Sequence, residues 1–322
     1  MRILVTGAAG FIGATLMHAL VQRGDCVKGI DNFNDYYEVR LKEARCRAFG
    51  LRVEKLDIAD KPALDALFAE GCFDKVVHLA AQAGVRYSIE NPYAYLQSNL
   101  TGFLNVLEAC RNYGVKHLVY ASSSSVYGLN EKVPYAEDDR TDSPVSLYAA
   151  TKKSDELMAH AYGKLYGIAM TGLRYFTVYG PWGRPDMSPM LFADAILKGE
   201  PIKVFNGGDM IRDFTYIDDI VAGTVGCIDH EPEPDAAGLR YRIYNIGCGS
   251  PVKLMDFIAE LEKALGRTAT LQELPMQPGD VYQTSADTTL LETEIGYKPH
   301  TKLPEGIAAF ARWYKQYCPS KT

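Results

Sequence analysis

The stretch Arg2-Ile3-Leu4-Val5-Thr6-Gly7-Ala8-Ala9-Gly10-Phe11-Ile12-Gly13 decides how the rest of the chain is read. Residues 2–5 are an apolar run of the kind buried in a parallel sheet, and the glycines follow at once. The segment after them has helical spacing through Leu16, Ala19 and Leu20. Strand, glycine turn and helix N-terminus together form an anion cradle. Small residues let the backbone approach a pyrophosphate, and free amides at the positive end of the helix stabilise its charge. Gly7, Gly10, Phe11, Ile12 and Gly13 are therefore the candidate cofactor cradle. The spacing is G-x-x-G-x-x-G, not the commoner G-x-G-x-x-G, so the motif alone is a weak signal.

Agreement comes from further along. A second strand over 26–30 ends at Asp31, followed by Asn32, 18 residues past Gly13. A carboxylate there accepts hydrogen bonds from adenosine ribose hydroxyls and repels a 2′-phosphate, which favours NAD over NADP. The alternative is a turn carboxylate. Strands over 51–56 and 75–79 flank a helix over 61–70, and this alternation predicts an α/β fold: a Rossmann-type, doubly wound parallel sheet. Asp57 and Ile58 then fall beside the adenine, and Leu79, Ala80 and Ala81 beside the nicotinamide half. His78 reads as a packed strand residue. Arg86 reads equally well as a phosphate ligand or a solvated arginine. The helix over 92–113 has apolar positions beyond one stripe, which predicts burial on two sides, by the sheet and by a subunit partner.

A strand over 116–121 delivers four serines, Ser122 to Ser125, and a helix beginning near Ser146 puts Tyr148 and Lys152 one turn apart on one face. A free phenol titrates near pH 10. A lysine ammonium and an oxidised nicotinamide beside Tyr148 would favour its phenolate and make it a base. The alternative is an ordinary surface tyrosine and lysine. After a strand over 168–175, proline becomes frequent and the pattern irregular. This divides the chain into an NAD-binding domain, 1–180, and a smaller, irregular α/β substrate-binding region, 181–322, some of whose segments return to the first. That region holds Arg184, Lys203, Arg212 and Asp280.

Composition narrows the field. The net charge is −6 over 322 residues, and no basic block or basic-aromatic stripe suggests a nucleic-acid binder. The cysteines number seven, an odd count without a C-x-x-C pair, which reads as reduced thiols in a cytoplasmic protein and not as a zinc site. No signal peptide or bilayer-length apolar run is expected, and no metal site.

The segments Thr6 to Gly13, 121–128, Tyr148-x-x-x-Lys152, 174–181 and 212–219 together resemble the extended short-chain dehydrogenase/reductase superfamily in its sugar-nucleotide branch. Within it, Asp31-Asn32-Phe33-Asn34-Asp35-Tyr36-Tyr37, Gln82-Ala83-Gly84-Val85-Arg86-Tyr87-Ser88 and Pro181-Trp182-Gly183-Arg184-Pro185-Asp186-Met187 are similar to UDP-glucuronate 4-epimerases. The resemblance implies a tightly held NAD and a UDP-hexuronic acid substrate. Tyr148 would act as base at the sugar 4-hydroxyl, with Lys152 tuning the phenol and binding the nicotinamide ribose. Ser123 would bond the 4-oxygen, and Ser125 would serve the carboxylate or a proton relay. Ser122, Tyr175, Phe176 and Val178 would border the cofactor, Ser124 and Thr177 the sugar. Arg184 would hold the sugar region, Arg212 and Arg86 the diphosphate, with Lys203 and Asp280 near the nucleotide. It also implies a homodimer through the two long helices.

Departures from relatives matter as well. Ser124 and Ser125 stand where sugar-nucleotide dehydratases carry Asp-Glu and decarboxylases a Glu, and Gln277 stands where galactose epimerases often have Arg before a Gly-Asp segment. The alternatives rank as a UDP-galactose/UDP-glucose-type 4-epimerase, then a UDP-glucuronate decarboxylase, with a non-catalytic NAD-sensing protein as the reading of another class.

Overall fold

In the computed structural model, which describes residues 1–276 and 280–317, seven parallel strands form the central sheet. β1 (Arg2–Thr6), β2 (Cys26–Asp31), β3 (Val53–Lys55), β4 (Lys75–His78), β5 (His117–Ser123) and β6 (Ala169–Tyr175) lie in the order β6-β5-β4-β1-β2-β3, and the strand Tyr241–Ile246 adds to the β6 edge. The order reverses between β1 and β4. Open α/β sheets bind ligands in the crevice at such a switch point. Gln277, Pro278, Gly279 and Cys318, which entered the sequence reading, lie outside the described residues.

Both faces of the sheet are covered, which is why its strands read as apolar runs without alternation. On one face α1 (Phe11–Gln22) and the helix Ile217–Asp229 bury Leu16, Leu20, Ile220 and Ile228 against Ile3 and Val5. Beside α1 lies α2 (Val39–Ala48), and on the other face α3 (Lys61–Gly71) and the helix Gly102–Asn112 bury Leu64, Phe68, Phe103 and Leu107 against Leu4 and Val76. The residues after 180 have two destinations. Two helices, Ile217–Asp229 and Thr289–Ile295, and one strand, Tyr241–Ile246, complete the central sheet and its cover. The rest build a separate core from the helices Ser188–Lys198, Leu254–Leu265 and Leu303–Tyr317 beside the parallel pair Pro201–Phe205 and Thr270–Leu274.

Two details depart from the sequence pattern. β3 has three residues, not the six expected. The long helix over 92–113 begins as Pro92–Tyr95, widens to a π-helical stretch at Leu96–Thr101, and resumes at Gly102. The wide turn has a use: Asn99 points its amide at the Gln82 carbonyl (3.1 Å) and the Thr151 hydroxyl (3.0 Å) and receives the Gln82 amide at 2.8 Å. It ties the end of β4 to the helix that carries Tyr148.

Candidate active site

The chain turns out of β1 at Gly7, whose φ of +70° and close approach to Ala80 exclude a side chain; a Cβ there would stand 2.7 Å from the Ala80 nitrogen. At Gly13 the packing is tighter still, with a Cβ falling 2.1 Å from the Gly7 carbonyl oxygen. Helix α1 starts at Gly10 without a side-chain cap, so its first amides are free to meet an anion. Asp31 is buried beneath this turn and accepts from the Ala9 amide (3.2 Å) and the Phe33 amide (2.8 Å). These features fit a dinucleotide: a backbone cradle at the pyrophosphate and a carboxylate at the ribose.

The cradle opens into a cavity of about 350 Å³. Gly7, Gly10 to Gly13, Asp31, Asn32 and Ile58 line one end; Leu79 to Ala81, the four serines, Tyr148, Lys152, Tyr175 to Val178 and Arg184 line the other. Tyr148 and Lys152 sit in the first turns of the helix Leu147–Tyr166, which Ser146 caps by accepting the Ala149 amide. Lys152 is buried; its ammonium donates to the Ala121 carbonyl at 2.9 Å and to Asp155 at 3.1 Å. Burial pushes the Asp155 carboxyl up to about 6 against the pull of Lys152. The Tyr95 ring meets the Tyr148 ring edge-on, with centroids 6.1 Å apart.

The serines divide their work. Ser122 donates to Glu156 at 2.7 Å, so its hydroxyl proton is spent on the framework, although the residue borders the cavity. Ser123 accepts the Ser125 amide at 3.2 Å and donates to the Ser125 hydroxyl at 3.1 Å, which aligns the pair at the cavity wall. His78, one strand over, has Nδ1 bonded to Thr6 (2.9 Å) and lies against Phe103; burial, then the charge of Lys152, lowers it to about 3. It stays neutral, as suits a packed strand residue.

Several candidates stand elsewhere. Asp57 does not line the cavity; its oxygens receive the Asn32 amide (3.0 Å) and the Ala59 amide (2.9 Å), so it braces the strand ends beside the adenine position expected for it. Arg86, Lys203, Arg212 and Asp280 also lie outside the lining. Arg86 is 3.6 Å from Asp280 and stacks over Phe205 at 5.2 Å, while Arg212 donates to the carbonyls of Ile211, Val281 and Tyr282. Lys203 is exposed on the strand Pro201–Phe205.

Sequence reasoning missed a second set. Lys42 is buried at the Asp31 end of the cavity, 3.8 Å from that carboxylate, and donates to Asn34. Arg45 is fully buried and bonds the carbonyls of Ala9, Trp182 and Gly183 and the Tyr37 hydroxyl. Tyr36 and Gly84 meet Arg184 at the far end. Lys42 and Arg45 look like ordinary surface positions of α2; only contacts across the fold, to Ala9, Trp182 and Gly183, reveal Arg45. Among the described residues no His, Cys, Asp and Glu group is arranged to hold a metal, and no helix is long and apolar enough to cross a membrane.

The chain is similar to known proteins over nearly its whole length. A UDP-glucuronate 4-epimerase from Arabidopsis thaliana, number 3 of its set, is 50% identical over 98% of this chain and 76% of its own length. A probable UDP-glucuronate 4-epimerase from Rhizobium meliloti (strain 1021) is 47% identical over 98% of this chain and 97% of its own. Among solved structures, the UDP-glucuronic acid 4-epimerase from Bacillus cereus, in complex with UDP-glucuronic acid and NAD, matches with a TM-score of 0.90 at 36% identity, covering 98% of this chain and 100% of that one. The glycine turn, the crevice and the Tyr148–Lys152 helix all fall within residues 3–247, which match the profile of the NAD dependent epimerase/dehydratase family, and the chain belongs to that family.

Proposed function

We propose that this protein is a UDP-glucuronate 4-epimerase, interconverting UDP-glucuronate and UDP-galacturonate through a 4-keto sugar with an NAD that it retains. The observation that carries the reading is a single cavity with a dinucleotide cradle at one end and Tyr148, Lys152, Ser123 and Arg184 at the other. When bound, NAD supplies an acceptor for the C4 hydride and returns it to either face of the sugar.

The protein's residues do the rest. Tyr148 takes the proton of the C4 hydroxyl and gives it back after the sugar turns over. Lys152 offers its charge to the phenolate and its donors to the nicotinamide ribose. Ser123 bonds the C4 oxygen in both orientations, and Ser124, Ser125 and Thr177 hold the carboxylate. Tyr175, Phe176 and Val178 border the nicotinamide. Arg86 and Arg212 serve the diphosphate, where a guanidinium fork suits the oxygens. Residues 1–180 hold the cofactor, and most of 181–322 the sugar nucleotide.

The protein works as a homodimer in the cytoplasm. Leu96, Leu104, Leu157 and Leu165 are exposed on the two long helices, a surface suited to a second copy. The deciding experiment is NMR of purified protein with UDP-glucuronate and no added cofactor. UDP-galacturonate should appear; no change even after NAD is supplied ends this reading.

A further inference from the structure

The three segments that set the glucuronate branch apart in sequence, 31–37, 82–88 and 181–187, converge on one hydrogen-bonded cluster. Arg184 forks onto Asp186, with Nε 3.1 Å from Oδ1 and Nη2 2.5 Å from Oδ2. Tyr36 donates to the same Oδ2 at 3.0 Å and rests on the Tyr87 ring, centroids 4.7 Å apart. Gly84 makes the room: its φ is +105°, and a Cβ there would stand 2.8 Å from the Tyr36 hydroxyl and 3.7 Å from Arg184 Nη2. Tyr36 and Arg184 face the cavity with Tyr148, while Asp186 stands behind them.

Both partners hold the protonation states this needs. Burial, then the Asp186 charge, pushes the Tyr36 phenol up to about 12, so it remains a donor. Burial would raise Asp186, but the Arg184 charge and hydrogen bonds hold it below the usual carboxylate range, so it remains an anion.

The chemistry gives this neutralised arginine a purpose. A 4-keto hexuronate is a β-keto acid. On decarboxylation its C5–C6 bond breaks, the electron pair becomes a C4–C5 double bond, the carbonyl π electrons move to the C4 oxygen, and carbon dioxide leaves; the enolate then takes a proton at C5. Negative charge thus travels from the carboxylate to the C4 oxygen beside Tyr148. An unpaired cation facing that oxygen would stabilise the enolate and speed the loss.

We propose that Asp186 is a specificity-determining residue that suppresses decarboxylation by balancing the charge of Arg184 at the Tyr148 end of the cavity, and that Tyr36 is a positioning residue that holds the Asp186 carboxylate in place. The inference rests on the epimerase reading. Arg184 keeps its hydrogen-bond donors for the sugar while its net charge is spent on Asp186.

The test supplies UDP-glucuronate labelled with ¹³C at C6 and measures carbon dioxide plus UDP-pentose against UDP-galacturonate. In Asp186→Asn the ratio should rise roughly tenfold or more, in Tyr36→Phe by a smaller factor, and the double variant Asp186→Asn with Arg184→Gln should bring it back down. A merely structural role would slow both products together and leave the ratio alone. A ratio within about twofold of wild type in both single variants overturns the inference, and if Asp186→Asn does not fold, Tyr36→Phe decides alone. Wild-type protein that forms no UDP-galacturonate overturns the epimerase reading itself, whereas wild-type epimerisation with unchanged ratios overturns only this inference.

Discussion

Arg174 grips Glu156 from the neighbouring strand, Nε 2.8 Å from Oε1 and Nη2 3.0 Å from Oε2, with both side chains buried. Ser122 donates to the same carboxylate at 2.7 Å, and Arg174 reaches on to the Tyr127 hydroxyl at 3.0 Å. The pair therefore locks the Tyr148–Lys152 helix against the strand that delivers the serines. Removing one member of a buried pair leaves the other charge uncompensated, so Glu156→Ala should cost about 3–5 kcal/mol. Urea denaturation reads this as a lower midpoint; an unchanged midpoint would show that the lock carries no stability.

The same pair sets an acid limb. Burial would raise Glu156, but the Arg174 hydrogen bonds and charge, with Ser122, hold it below its ordinary value of 4.5. A carboxylate depressed on folding contributes stability above its unfolded pKa and loses it as pH falls through the folded one. Asp155 runs the opposite way: raised to about 6, it favours the folded state as pH falls from 6 towards 3.8. The wild-type advantage over Glu156→Gln should accordingly hold between pH 5 and 7 and shrink below about 4.5. An advantage that stayed constant down to pH 3 would contradict the assignment.

At Tyr148, Phe keeps the ring that Tyr95 packs against and removes only the proton acceptor. The glycine cradle and Asp31 lie at the other end of the cavity, so Tyr148→Phe should still purify with NAD, measured by cofactor released on denaturation. Turnover of UDP-glucuronate should fall by about 10²–10⁴. Wild-type turnover in that variant would remove Tyr148 as the base.

Much of this was legible because it is local. The apolar runs, the glycine turn, Asp31 at a strand end and the four-residue spacing of Tyr148 and Lys152 each depend on neighbours a few positions away, where chain geometry decides the outcome. What escaped depends on contacts across the fold. Tyr36 and Asp186 are 150 residues apart, and nothing in either segment says that they share a hydrogen bond. Asp57 has the right place to face an adenine, and nothing in its segment says that each of its oxygens already accepts one bond, from Asn32 and from Ala59. The π-helical turn at Leu96–Thr101 has no sequence signal; it exists because Asn99 must reach both Gln82 and Thr151.

Arg45 extends that point into a prediction. It is a buried cation that donates to Ala9 in the cofactor cradle at 3.2 Å and to Trp182 and Gly183 in the loop before Arg184 at 2.9 and 3.1 Å. One planar guanidinium thus holds the two binding segments in register, with Tyr37 completing its partners at 2.7 Å. Lysine keeps the charge but cannot span three carbonyls at these angles, and each buried acceptor left without a donor costs about 1–3 kcal/mol. Arg45→Lys should therefore lower the melting temperature and also raise KM for the sugar nucleotide, because Arg184 hangs on the loosened loop. Calorimetry and steady-state kinetics on the same preparation separate the two effects. A variant that melts earlier yet binds UDP-glucuronate as wild type does would show that Arg45 supports the fold without aligning the cradle and the sugar loop.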